Sequence, residues 1–176
     1  PEGAPDVLFI TLDTTRADRI GAWGYSEART DTLDALASSG RRYANAWSTM
    51  PLTIPSHSSM FTGQYPPTHG VRSNGDAQLS DDAWTLAEHL HLNGYHTVAS
   101  VAAFVTTQEW GFGQGFDDYY EDVPESTDFW HAERPGQLVV DDVIGHIEKR
   151  DSDRPMFAWV HLYDAHFPYV PPEEYR

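Results

Sequence analysis

Cysteine is missing altogether from the 176 residues. That excludes disulfides and thiolate metal sites but leaves the redox compartment open, because a chain without thiols fits either side of a membrane. Lysine is nearly missing too: Lys149 stands alone among 11 basic residues, against 27 acidic ones, for a net charge of −16. Such a field disfavours nucleic acid and anionic membrane surfaces as partners. It fits a solvated acidic surface, either that of a salt-adapted organism or of an ordinary acidic protein. An anionic substrate would need a local positive site, such as a metal ion, inside this field. No apolar run approaches the length of a membrane span, and Pro1-Glu2-Gly3 has no basic-plus-apolar targeting character. Internal repeats and low-complexity tracts are also missing. What is present is aromatic: six Trp, nine Tyr and eight Phe, enough apolar surface for one domain with a real core.

Apolar patterning gives strands alternating with helices. Val7-Leu8-Phe9-Ile10-Thr11-Leu12 is a continuous run that predicts a strand buried on both faces, the kind found in parallel sheets. Residues 95–101 and 156–162 predict two more, and residues 41–47 a further strand leading into the segment that follows. Helices are predicted from Thr30 to Gly40, from Asp81 to Asn93 and from Pro135 to Arg150. Residues 111–120 read as a packed glycine-aromatic turn, and residues 121–134 as an acidic surface excursion. With no hairpin signals, this order points to an α/β fold with a largely parallel sheet.

Chemistry concentrates in residues 51–75. Thr53 precedes Ile54 and Pro55, and residues 56–62 predict a short helix ended by Gly63. A hydroxyl at that helix N-terminus sits among free N–H groups, a place that favours an oxyanion or anionic ester. His57, His69, Arg72 and Asn74 follow as potential donors to the same anion, although a capped helix and a polar turn would use the same residue types. Asp13 ends the first strand, and ligands of open α/β sheets sit beyond carboxyl strand ends, so it lies where a metal ligand would. His161, Asp164 and His166 close the last strand as a ligand or acid/base cluster, with a backbone-capping role competing for His161.

Thr-x-Pro-Ser-His-x4-Thr-Gly-x-Tyr-Pro-x2-His-Gly, from Thr53 to Gly70, resembles the active-site segment of the sulfatase family in the alkaline phosphatase superfamily. Sulfatases carry Cys or Ser where Thr53 stands and Arg where His57 stands. A similar threonine-bearing run occurs in nucleotide pyrophosphatase/phosphodiesterases of that superfamily. LDTTRADRIGAWGY and the stretch from His161 to Pro172 are similar to two further sulfatase segments, so the likeness runs from about residue 5 to the last residue. It implies a three-layer α/β/α, alkaline phosphatase-like fold. Residues 1–176 would form the N-terminal portion of one catalytic domain whose metal site a later Asp-His pair completes.

The resemblance also implies roles. Asp13 would bind the metal, Thr14 stands where many sulfatases have a second metal-binding Asp, and Thr53 would be both nucleophile and metal neighbour. His166 and His69 would protonate the leaving oxygen or hold the anion, with His57, Arg72, Asn74 and His161 binding substrate. The cofactor would be a divalent ion, Ca²⁺ for a sulfatase and Zn²⁺ or Mn²⁺ for a phosphodiesterase. The substrate would be a small-molecule or glycan sulfate or phosphate ester, met in the periplasm or outside the cell. Two departures matter. Threonine cannot be oxidised to the formylglycine of sulfatases, and Val101-Ala102-Ala103-Phe104 replaces the usual Gly-Lys-Trp-His, removing two anion contacts. Three outcomes follow: a hydrolase with a direct threonine nucleophile, a phosphodiesterase or phosphomonoesterase, or an inactive binding module.

Overall fold

The computed structural model describes residues 3–124, 132–150, 153–171 and 173. It divides into a larger unit, residues 1–13 with 49–176, and a smaller one, residues 14–48. The smaller unit holds α1 (Asp31–Ser39), as the capped pattern from Thr30 to Gly40 predicts. There the Ala22 N–H donates to the Asp34 carboxylate at 2.6 Å, Gly21 N–H to the Thr30 hydroxyl at 2.9 Å, and Arg42 to the Ala22 carbonyl at 2.9 Å. Arg16 and Asp18 form an exposed ion pair in the same unit. Residues 41–47 form no strand: no partner strand lies beside them, and Tyr43 and Trp47 are exposed.

The larger unit is built on four parallel strands: β1 (Val7–Leu12), β2 (His96–Val101), β3 (Asp118–Tyr120) and β4 (Met156–Leu162), in the order β1-β4-β2-β3. Its helices are α2 (Thr53–Thr62), α3 (Pro66–His69), α4 (Leu86–Leu92) and α5 (Gly136–Lys149). Alternation along β4 sorts the layers. Phe157, Trp159 and His161 point to the α2 side, where Phe61 meets the Trp159 ring edge-on at 4.7 Å and Phe9 at 5.9 Å. On the other side α5 covers β4 and β2. Ser100 and the buried Arg134 both donate to Asp142 there, at 2.9 and 2.7 Å. The result is helix, sheet, helix, with β4 at the centre and buried along nearly its whole length.

Three predictions need correction. β1 is not buried on both faces: Leu8, Ile10 and Leu12 are 56%, 46% and 36% exposed, alternating with half-buried Val7, Phe9 and Thr11. As the edge strand it is only partly covered on its α5 side by the described residues. The helix expected from Asp81 starts only at Leu86, because Thr85 and Glu88 form a capping box that fixes the first turn there. That Thr-x-x-Glu signal was readable in the sequence. Finally, residues 125–131 of the expected acidic excursion lie outside the described residues. Its end is interior: Glu133 bridges Ala103 and Arg134 is buried.

Candidate active site

The carboxyl ends of β1 and β4 lie side by side, with Thr11 opposite His161 in register. Beyond β1 the chain turns at Asp13, whose N–H donates to the Leu162 carbonyl at 2.9 Å. That bond pins Asp13 over the sheet end. α2 begins at the same place: Thr53 is its first residue, Pro55 sits in the first turn, and Gly63 ends it at φ +67°. Thr53 Oγ1 donates to Asp13 Oδ2 at 3.2 Å across forty residues of sequence. The expected meeting of strand end and helix start therefore occurs.

Electrostatics make this carboxylate unusual. Asp13 is buried, and burial pushes its pKa above the ordinary carboxylate value, opposed by His57, the Thr53 hydroxyl and His166. His161 is fully buried and held neutral, its pKa driven well down by desolvation and by neighbouring His57. A hydrogen-bond chain anchors its ring: Thr11 Oγ1 accepts from the Trp159 indole N–H at 3.1 Å and bonds His161 Nδ1 at 2.9 Å. His161 Nε2 lies 3.8 Å from Asp13 Oδ2, too far for a hydrogen bond. It has no hydrogen-bond partner among the described residues.

The remaining candidates divide. His57 donates from Nδ1 to the Thr53 carbonyl at 2.8 Å and packs edge-on to His161 at 4.9 Å. It lies inside, between α2 and the sheet, with burial lowering its pKa. Asn74 Oδ1 accepts from the Ile54 N–H at 2.9 Å, which places it at the start of α2 beside Thr53. His166 stacks on Tyr163 at 4.2 Å and donates from Nδ1 to the Phe167 carbonyl at 2.8 Å. Burial and the charge of Asp13 raise the Tyr163 pKa.

Other expectations are not brought together. His69 is buried and spent: Nδ1 accepts from Val71 N–H at 3.2 Å, so Nε2 donates to Ser59 Oγ at 3.0 Å, some two turns along α2 from Thr53. Asp164 accepts from the Gly136 N–H at 3.1 Å, which makes it the cap of α5 rather than part of a cluster with the two histidines. Arg72 is exposed on the loop after α3. Of the metal candidates, Asp13 and Thr53 come together in the larger unit, and Thr14, the first residue of the smaller unit, has a left-handed backbone, φ +51°. Thr11 and Tyr163 were missed. The legible signal for Thr11 was a hydroxyl inside an otherwise apolar strand.

Asp13 and Thr53 offer a carboxylate and a hydroxyl oxygen, the donor type that a divalent cation such as Ca²⁺ takes. The two are hard oxygen donors, and the neutral histidines beside them do not compete as cations.

The family profile described as Sulfatase matches residues 5–176. The chain belongs to the sulfatase family. Among curated relatives of this sulfatase-family chain is an ulvan-active sulfatase of Formosa agariphila, 28% identical over 197 residues that cover 98% of this chain and 38% of that protein. Two solved structures share the fold. One is a protein in complex with its substrate D-glucosamine-2-N,6-O-disulfate (TM-score 0.82, 22% identity, 95% of this chain and 36% of that one). The other is the phosphonate monoester hydrolase of Agrobacterium radiobacter (TM-score 0.80, 22% identity, 98% and 43%). The three-layer α/β architecture is thus alkaline phosphatase-like, and this sulfatase-family chain spans well under half the length of the proteins it matches.

Proposed function

We propose that this chain forms the nucleophile-bearing, N-terminal portion of one metal-dependent hydrolytic domain that cleaves sulfate esters through a covalent intermediate on Thr53. The reading rests on one contact, the Thr53 hydroxyl donating to the buried carboxylate of Asp13 at the N-terminus of α2. A threonine hydroxyl is a weak nucleophile unless a neighbour takes its proton. In the first half-reaction a bond forms between Thr53 Oγ1 and sulfur, the ester S–O bond breaks, the threonine proton passes to Asp13, and the leaving oxygen takes a proton from His166. Water then displaces Thr53 Oγ1 from sulfur and gives a proton to His166, and the threonine recovers its own from Asp13. The positive end of the α2 dipole favours the non-bridging oxygens, and the Asn74 amide, whose Oδ1 accepts from the Ile54 N–H, would donate its N–H₂ to one of them. His57 and His161 brace the nucleophile turn and Asp13 from beneath, while His69 holds α2 to α3. Asp13 and Thr53 would hold the divalent ion, Ca²⁺ by donor type, which when bound polarises a substrate oxygen.

Further ligands are assigned to polypeptide outside this chain, since the relatives are much longer and the α5-side face of β1 is only partly covered by the described residues. The substrate class is a sulfated glycan or a smaller sulfate ester, supported by the names of the relatives and by the need for a cation in so acidic a molecule. A second reading, phosphate or phosphonate ester hydrolysis, is favoured by Thr53 itself, which gives no aldehyde, and by the fold shared with the phosphonate monoester hydrolase. Turnover of aryl sulfates and aryl phosphates by the full-length protein, with and without chelator, separates the two. Thr53→Ala should lower kcat on the active ester by on the order of 10³-fold or more, with Thr53→Ser retaining part of it. Unchanged turnover by Thr53→Ala rules out the nucleophile; turnover of neither ester by the wild type leaves a binding module.

A further inference from the structure

At the opposite end of the sheet from Asp13, three elements bring ligand-type side chains together. His96 opens β2, Asp118 opens β3, and His146 lies in the last turns of α5. Asp118 pairs with Val98 in register, and alternation therefore sets His96, Val98 and Asp118 on the face that α5 covers. His96 Nε2 lies 2.9 Å from Asp118 Oδ2, and His146 Nδ1 lies 3.9 Å from the same oxygen. The two imidazoles stack at 4.8 Å, 15° from parallel, and one donor atom from each of the three residues falls within 4.8 Å of the others. All three are partly exposed, and His96 and His146 lie on a cleft of about 520 Å³ that Tyr120 and Asp142 also line.

We propose that His96, Asp118 and His146 form a second cation site, for a divalent transition ion of the zinc class, which fastens the short edge strand β3 to β2 and α5. Bonds of about 2.1 Å to such an ion put neighbouring donor atoms roughly 3–3.5 Å apart, within the 2.9–4.8 Å spread seen here. Two imidazoles and one carboxylate suit zinc-class ions better than Ca²⁺ or Mg²⁺, which take oxygen. Asp117 Oδ2, 3.5 Å from His96 Nδ1, supplies the outer carboxylate that commonly orients a ligating histidine. Of the cations lining the cleft, Arg150 is engaged on Asp6 and Arg154 on the Gly94 and Tyr95 carbonyls, and Lys149 also borders it. The open side of the cleft leaves positions for water. β3 has only three residues and pairs on one side, so a clip across its first residue protects an otherwise weak edge.

The test uses untagged, chelator-stripped full-length protein carrying Asp13→Asn, which removes the expected metal ligand at the other end of the sheet. Co²⁺ and Zn²⁺ are titrated separately, reading the Co²⁺ ligand-field absorption, its displacement by Zn²⁺, and the melting temperature. One equivalent should bind and raise Tm, while His146→Ala and Asp118→Asn in this background should weaken binding at least tenfold and cancel the Tm rise. His146→Gln, closer in size and polarity, serves as a second variant, and melting in chelator reports that each is folded. Undiminished binding by the folded variants, or no binding by the Asp13→Asn parent, overturns the proposal.

Discussion

Replacing Thr11 by valine should destabilise the protein out of proportion to the two atoms exchanged. The change keeps the side-chain shape but removes the oxygen that accepts from Trp159 Nε1 at 3.1 Å and bonds His161 Nδ1 at 2.9 Å. Trp159 and His161 are both fully buried, so neither can turn to water for compensation. A buried polar group deprived of its partner costs about 1–3 kcal/mol. Two such groups, with a small gain from the added methyl, give about 2–5 kcal/mol. At about 2–4 °C per kcal/mol for a chain of this size, Tm should fall on the order of 10 °C. Thermal and urea unfolding of wild type, Thr11→Val and Thr11→Ser measure it, with the serine variant expected near wild type because it keeps the oxygen. In a Trp159→Phe background, valine should cost about 1–3 kcal/mol less, since one of the two stranded groups is then gone. A valine variant as stable as the serine variant would refute the chain Trp159–Thr11–His161.

Two further outcomes concern the frame around the site. Asp6 ties three elements, accepting from Arg150 at 2.7 Å and from the Met156 N–H at 2.8 Å, and these bonds, that to Arg150 first, hold its pKa below the ordinary value. A depressed folded-state pKa stabilises the protein above the unfolded pKa, and that contribution is lost as pH falls through the folded one. Asp6→Asn should therefore cost about 1 kcal/mol or less at pH 7, given how exposed the pair is, and the difference from wild type in urea melts should shrink below about pH 4. Gly115 has φ +85°, and a Cβ there would overlap the Glu88 and Ala87 backbone at the start of α4. Gly115→Ala should cost about 3 kcal/mol or more, whereas Gly24→Ala, with open space around its Cβ at φ +103°, should cost about 1 kcal/mol. Equal Tm losses for the two glycines would contradict the packing described.

The amino-acid order alone carried the alternation of strand and helix, because each apolar run or stripe reports its own period. It also carried the meeting of Asp13 with Thr53. A strand end and a helix start in a parallel α/β sheet open to the same side, and the Thr53–Gly70 pattern named the family that the profile match confirms. Strand order is a different matter. That β4 enters between β1 and β2, leaving β1 half bare, depends on contacts between residues some 150 positions apart, which no local pattern encodes. The fates of the histidines were decided in the same way. His69, His161 and His166 are one residue type, yet one is tied to Ser59, one sealed under Thr11, and one stacked on Tyr163. Likewise nothing in the spacing of His96, Asp118 and His146 marks them as neighbours. Hydrogen-bond partners and burial belong to the packed interior, and only the tertiary structure assigns them.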